Sequence, residues 1–139
     1  MKINIIYWSG TGNTEAMAGL IREGAESGGA EVAAKTVSGA TDADLDCDVL
    51  ALGCPSMGAE ELEETEFDPW FSSVEGKLAG RKLALFGSYG WGDGEWMRNW
   101  VQRARDAGAD VLGDGLIVNE APAGEEAGRC KAFGAGLAG

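Results

Sequence analysis

The sequence predicts an α/β fold, a single doubly wound, five-stranded parallel sheet with helices on both faces. Three observations carry that prediction. Strand-like and helix-like segments alternate along the whole chain. Strand-like segments such as Ile3-Asn4-Ile5-Ile6-Tyr7-Trp8 and Asp48-Val49-Leu50-Ala51-Leu52-Gly53 are apolar nearly throughout, which marks strands covered on both sides. The small-residue stretch Ser9-Gly10-Thr11-Gly12-Asn13-Thr14 stands between the first strand and the first helix, where such sheets keep a ligand loop.

The elements follow in order. The first strand covers 3–8. A helix over 15–27 places Met17, Leu20, Ile21 and Gly24 on one face and stops at Gly28-Gly29. Residues 31–37 alternate as a second strand, and Thr41-Asp42-Ala43-Asp44-Leu45 reads as a short capped helical turn. The third strand is 48–53, followed by an acidic loop from Pro55 to Glu66. A helix over 67–78 tolerates Pro69 near its start. A fourth strand over 82–87 leads into a glycine-rich loop over 88–94. The next helix, 95–107, offers Trp96, Met97, Trp100 and Val101 for packing. The fifth strand covers 111–118 with an interruption at Gly113-Asp114-Gly115, and a C-terminal helix begins near Gly124. Crossovers between parallel strands are right-handed, and ligands sit beyond the carboxyl ends of the strands. Three loops rich in small and polar residues, 9–14, 54–60 and 88–94, converge there.

A chain of 139 residues is expected to form a single domain over 1–139 with a real core. No run approaches the ~20 apolar residues of a membrane span, and the N-terminus enters a strand without a signal-peptide core. The expected compartment is therefore the cytoplasm. Eleven basic against 23 acidic residues give a net charge of −12. That argues against nucleic acid or a membrane as partner and favours docking onto basic patches of other proteins. Cys47, Cys54 and Cys130 are odd in number and lack CxxC spacing, and the chain has no His. No metal site is expected, the cysteines read as structural thiols, and the usual general base near neutral pH is missing.

The 9–14 loop suits a phosphate. Glycines let the backbone approach closely, N–H groups at a helix start point inward, and the dipole favours an anion. Ser9, Thr11 and Thr14 add hydroxyls. The absence of Lys and Arg argues against a P-loop nucleotide site and for a monoester held by neutral donors. On this loop alone, an ordinary glycine-rich turn with a threonine cap remains an alternative.

Three segments together extend the reading: Tyr7-Trp8-Ser9-Gly10-Thr11-Gly12-Asn13-Thr14-Glu15, Gly53-Cys54-Pro55-Ser56-Met57-Gly58-Ala59-Glu60-Glu61-Leu62-Glu63 and Phe86-Gly87-Ser88-Tyr89-Gly90-Trp91-Gly92-Asp93-Gly94. In these segments, and in order along the whole chain, the sequence resembles the short-chain flavodoxins. The resemblance implies the strand order 2-1-3-4-5 and FMN as cofactor. It assigns the FMN phosphate to Ser9, Gly10, Thr11, Gly12, Asn13 and Thr14. It assigns one face of the ring to Pro55, Ser56, Met57, Gly58, Ala59 and Glu60, with Glu60 accepting from the ring N3–H. Ser88, Tyr89, Gly90 and Trp91 take the other side, Trp91 by stacking and the backbone N–H groups by reaching the pyrimidine oxygens. Gly58 is the position of a peptide flip that follows reduction, its carbonyl turning to the flavin N5–H. Relatives commonly carry a polar turn residue where this chain has Ala59, which is less comfortable at positive φ and would alter the energy of the flip. Trp8, Trp70, Trp96 and Trp100 read as packing residues.

The implied function is a low-potential one-electron carrier whose non-covalently bound FMN cycles mainly between semiquinone and hydroquinone. A hydrogen bond at N5 raises the first step, and nearby negative charge lowers the second. No catalytic residues are expected. Its partners would be redox proteins with basic docking surfaces, and the chain would be a monomer. The acidic 60–66 segment is a candidate docking rim, with a plain solvated loop as the alternative. The rival function is an FMN-dependent NAD(P)H or quinone reductase, which needs extra loops or a dimer interface that the chain does not show. A receiver-like regulatory domain would need an acidic pair after strand one and an Asp ending strand three, where Tyr7-Trp8 and Gly53-Cys54 stand.

Overall fold

The computed structural model describes all 139 residues. Strands β1 (Lys2–Tyr7), β2 (Glu31–Thr36), β3 (Val49–Gly53), β4 (Lys82–Tyr89) and β5 (Asp110–Val111) lie in the order β2-β1-β3-β4-β5, and a short β6 (Leu116–Asn119) also pairs with β4. Every pairing is parallel. The doubly wound sheet and its order are as the sequence led us to expect.

The interruption of the fifth strand is real. Lys82 and Leu83 pair with Asp110 and Val111, whereas Phe86 to Tyr89 pair with Leu116 to Asn119. Between the two pieces, Gly113 at φ 76° and Gly115 at φ 88° lead the chain away from the edge and back. Because β6 continues the pairing, β4 runs two residues further than its apolar run suggested, and Ser88 and Tyr89 are strand residues.

Helix α1 (Asn13–Ser27) starts two residues before its apolar stripe, so Asn13 and Thr14 form its first turn. Helix α2 (Phe67–Val74) is shorter than its pattern and tightens into a 3-10 turn over Glu75–Lys77. Helices α3 (Glu95–Asp106) and α4 (Glu125–Ala138) complete the order. Successive strand side chains point to opposite faces, so Ile3 and Ile5 join the core under α1 and α4 while Ile6 joins the core under α2 and α3. The first core also holds Met17, Ile21, Phe86 and Leu137. The second is built around Phe67, Phe71, Trp96 and Trp100, with Trp100 edge-on to both phenyl rings at 5.3 and 6.0 Å.

Two devices hold the helices in place. Where α1 crosses α4, a Cβ on Gly24 would overlap the Lys131 carbonyl and one on Gly134 the Ile21 carbonyl, so only glycine permits this backbone-to-backbone contact. On the other side, Arg103 of α3 reaches α2 and the turn after it. Its guanidinium pairs with both oxygens of Glu75 at 2.9 and 2.8 Å and with Asp68 at 2.7 Å, and lies 4.8 Å from the Phe71 ring centre. Trp96 and Trp100 are the packing residues expected, and Trp70 packs partly buried against the same core. No helix is long and apolar enough to cross a membrane.

Candidate functional site

The first loop leaves β1 with the Trp8 N–H bonded to the Gly53 carbonyl at 3.0 Å. Gly12 turns the chain at φ 97°, a left-handed conformation that opens the way into α1. The Ser9 hydroxyl folds the loop on itself, accepting from the N–H groups of Gly12 at 3.2 Å and Glu15 at 3.3 Å. The N–H groups of Gly10, Thr11, Asn13 and Thr14 have no acceptor in the protein. They surround the positive end of a helix dipole, an arrangement that favours an anion. Thr14 is buried, and its hydroxyl shares a hydrogen bond of 3.2 Å with that of Ser88. That bond ties the first loop to the end of β4.

The second loop is tied to the same place, because the Ser56 N–H donates to the Ser88 carbonyl at 3.0 Å. Met57 and Glu61 exchange backbone hydrogen bonds, both of 2.8 Å, around the turn Gly58-Ala59-Glu60. Gly58 has φ 53° and Glu60 φ 56°. Ala59 is not at positive φ. The strain expected at Ala59 falls instead on Glu60, which is held there by its own side chain. The Glu60 carboxylate accepts from the N–H groups of Asp93 and Trp96, each at 3.3 Å, at the start of α3. Gly92 must be glycine beneath it, since a Cβ would overlap that carboxylate and φ is 87°.

Further along the acidic loop, Glu63 is buried rather than presented to a partner. It accepts from the N–H groups of Thr65, Glu66 and Phe67 at 2.8, 2.7 and 2.9 Å, and from the Thr65 hydroxyl, and so caps α2. Burial pushes its carboxyl up. The Thr65 hydroxyl and those backbone donors outweigh this and hold it below the usual carboxylate range. Of the candidate docking rim, Glu61, Glu64 and Glu66 remain exposed.

The three loops enclose a cleft of about 340 Å³. Of the sequence-predicted residues, it brings together Ser9, Gly10, Thr11, Asn13, Thr14, Pro55, Ser56, Met57, Ser88, Tyr89 and Gly90. Gly12, Gly58, Ala59, Glu60 and Trp91 lie outside this lining. Gly12 shapes the loop from behind, and Glu60 faces α3. Trp91 is 62 % exposed and Met57 38 %, two large apolar side chains in loops that border the cleft. Two lining residues escaped the sequence reading. Trp8, expected only to pack, both packs and lines the cleft. Glu120 enters it from the end of β6 at φ 60°, its N–H bonded to the Tyr89 carbonyl at 2.9 Å. The rule that ligands gather at the carboxyl ends of parallel strands applied equally to the last strand and could have found Glu120.

These residues fit FMN. The first loop supplies unpaired N–H groups and hydroxyls without a cation, which suits a phosphate, and Glu120 is the only charged side chain in the lining. Exposed Met57 and Trp91 offer apolar surface to a flat ring.

Comparison with known proteins decides the family. The flavodoxin family model matches residues 5–133. The chain belongs to the flavodoxin family. It is 49 % identical over 133 residues to the flavodoxin of Megasphaera elsdenii, covering 95 % of each chain. It is 49 % identical over 121 residues to the flavodoxin of Clostridium beijerinckii, covering 86 % of this chain and 88 % of that one. The solution structure of two-electron reduced Megasphaera elsdenii flavodoxin superposes with a TM-score of 0.89 at 48 % identity, covering 98 % of each chain. As a flavodoxin, the chain is an FMN-bound electron carrier that serves redox partners. It is not an enzyme, and the reductase alternative is not favoured.

Proposed function

We propose that the chain is one flavodoxin-like domain over 1–139 and works as a low-potential, one-electron carrier between redox proteins. The observation that carries this reading is the joining of loops from three separate strands around one cleft, through the Thr14–Ser88 and Ser56–Ser88 hydrogen bonds. Bound FMN supplies the redox chemistry, taking and giving electrons one at a time. The protein binds, orients and tunes it.

Residues 9–14 hold the phosphate end through backbone N–H groups and the hydroxyls of Ser9, Thr11 and Thr14. Met57 and Trp91 cover the ring, assisted by Pro55, Ser56 and Tyr89. Gly58 has open space where a Cβ would stand, so its peptide is free to turn a carbonyl toward an N–H at the ring edge. Glu60 fixes the far side of that turn by its bonds to α3, and its fixed negative charge opposes the arrival of the last electron. Ser88, Gly90 and the N–H groups around them face the polar edge of the ring.

The partners are redox proteins with basic docking surfaces, which the net charge of −12 attracts. The working form is a cytoplasmic monomer that engages neither nucleic acid nor a membrane. Titration of the apoprotein with FMN tests the reading. One FMN per chain, bound with quenched flavin fluorescence and with no NADH oxidation by the loaded protein, is expected. Failure to bind FMN at micromolar concentration, or steady NADH turnover, would reject it.

A further inference from the structure

We propose that Trp8 is a positioning residue for the phosphate loop, a rigid platform on which Gly10 rests and which is itself anchored to the second loop. The proposal rests on the reading that residues 9–14 take a phosphate.

Trp8 is half-buried and packs against the core beneath α2 and α3. Its ring passes under the loop. A Cβ added to Gly10 would stand 2.9 Å from Cη2 and 3.2 Å from Cζ3 of the indole, so the Gly10 backbone lies on the ring as only glycine can. The ring has its own anchor, because the indole N–H donates to Glu66 Oε1 at 3.3 Å. Glu66 stands at the entry to α2, and its N–H is held by the buried Glu63 carboxylate at 2.7 Å. A chain of contacts therefore runs from the cap of α2 through Glu66 and the indole to Gly10.

The physical consequence is preorganisation. Gly10 and Thr11 are exposed, and neither their N–H groups nor their side chains bond elsewhere in the protein. Without a platform, such a glycine-containing segment loses conformational freedom only when its ligand arrives, and affinity falls accordingly. The cost falls on the phosphate end of the ligand. Contacts to the ring come from the other two loops and are untouched. Trp8 should therefore set the preference for a phosphorylated flavin over the same flavin without its phosphate.

The test measures dissociation constants of FMN and riboflavin for the full-length apoprotein by fluorescence quenching, in the parent, Trp8→Leu, Gly10→Ala and the double variant. We expect each single change to weaken FMN by about tenfold or more while riboflavin moves less than about twofold. In the double variant the methyl no longer meets an indole, so its loss should not exceed that of Trp8→Leu alone. Parallel weakening of both flavins, no weakening of either, or additive losses in the double variant would overturn the proposal. Should Trp8→Leu fail to fold by circular dichroism, Gly10→Ala and Glu66→Ala, which removes the acceptor of the indole N–H, decide. A selective loss of FMN in both supports the platform, and unchanged FMN affinity in both overturns it. A parent that binds FMN and riboflavin equally well would instead bring down the phosphate reading itself, and the platform with it.

Discussion

Glu63 and Glu60 are two carboxylates in one acidic loop, and their roles are opposite to what solvated loop residues would have. Glu63 is a buried cap. Its folded pKa lies below the ordinary 4.5. Its stabilising contribution is therefore fully present above about pH 4.5 and is lost as pH falls through the lowered value. Glu63→Gln should cost about 1–2 kcal/mol at neutral pH in urea unfolding and flatten the acid limb of the stability profile. An unchanged acid limb would show that the cap is not what titrates. Glu60 holds a strained turn against α3 and adds negative charge beside the cofactor loops. Glu60→Gln should raise the second one-electron potential of the loaded protein, by roughly 40–90 mV for a change of about 1–2 kcal/mol. A lowered potential in a spectroelectrochemical titration would contradict the charge argument. Cys54 is fully buried and burial pushes its thiol up, so alkylation of Cys54 should require unfolding. The residues of the 9–14 loop were legible in the sequence because their chemistry is local, a helix start with small and hydroxyl residues. The direction of the Glu60 carboxylate was not, because its N–H donors come from the distant Asp93 and Trp96. The capping by Glu63 was hidden in an irregular loop, although its donors lie only two to four residues on. Glu120 reaches the cleft through the pairing of its N–H with the carbonyl of the distant Tyr89.

At the scale of elements, the strands announced themselves through continuous apolar runs, and the break at Gly113-Asp114-Gly115 was visible as two glycines in an otherwise apolar stretch. Boundaries were harder to read. β4 extends through Ser88 and Tyr89 only because β6 returns to pair with them, a non-local contact that no window of sequence contains. The helical glycines conceal different roles under one residue type. Gly134 sits against the Ile21 carbonyl in the α1–α4 crossing, whereas Gly136, two residues on in the same helix, faces open space. Gly134→Ala should destabilise by about 2–3 kcal/mol through overpacking. Gly136→Ala should stabilise by about 0.5–1 kcal/mol by restricting the unfolded chain and favouring the helix. Urea unfolding of the two variants measures both. Equal effects of the same sign would show that the helices do not meet so closely.

The whole molecule combines a net charge of −12 with a cleft at the carboxyl ends of the central strands. Long-range attraction should speed encounter with cationic redox proteins, and the attraction should weaken as the screening length falls from ~30 Å at 0.01 M salt to ~8 Å at 0.15 M. Electron-transfer rates to a basic partner should drop several-fold over that range, measured by stopped flow, while rates to a neutral small-molecule acceptor stay level. The three loops, with their fixed charge, should make FMN a carrier of one electron at a time. Spectroelectrochemical reduction of the FMN-loaded chain tests it most directly. Two separated one-electron steps, the second at clearly lower potential, are the expected result, and a single two-electron step would contradict it.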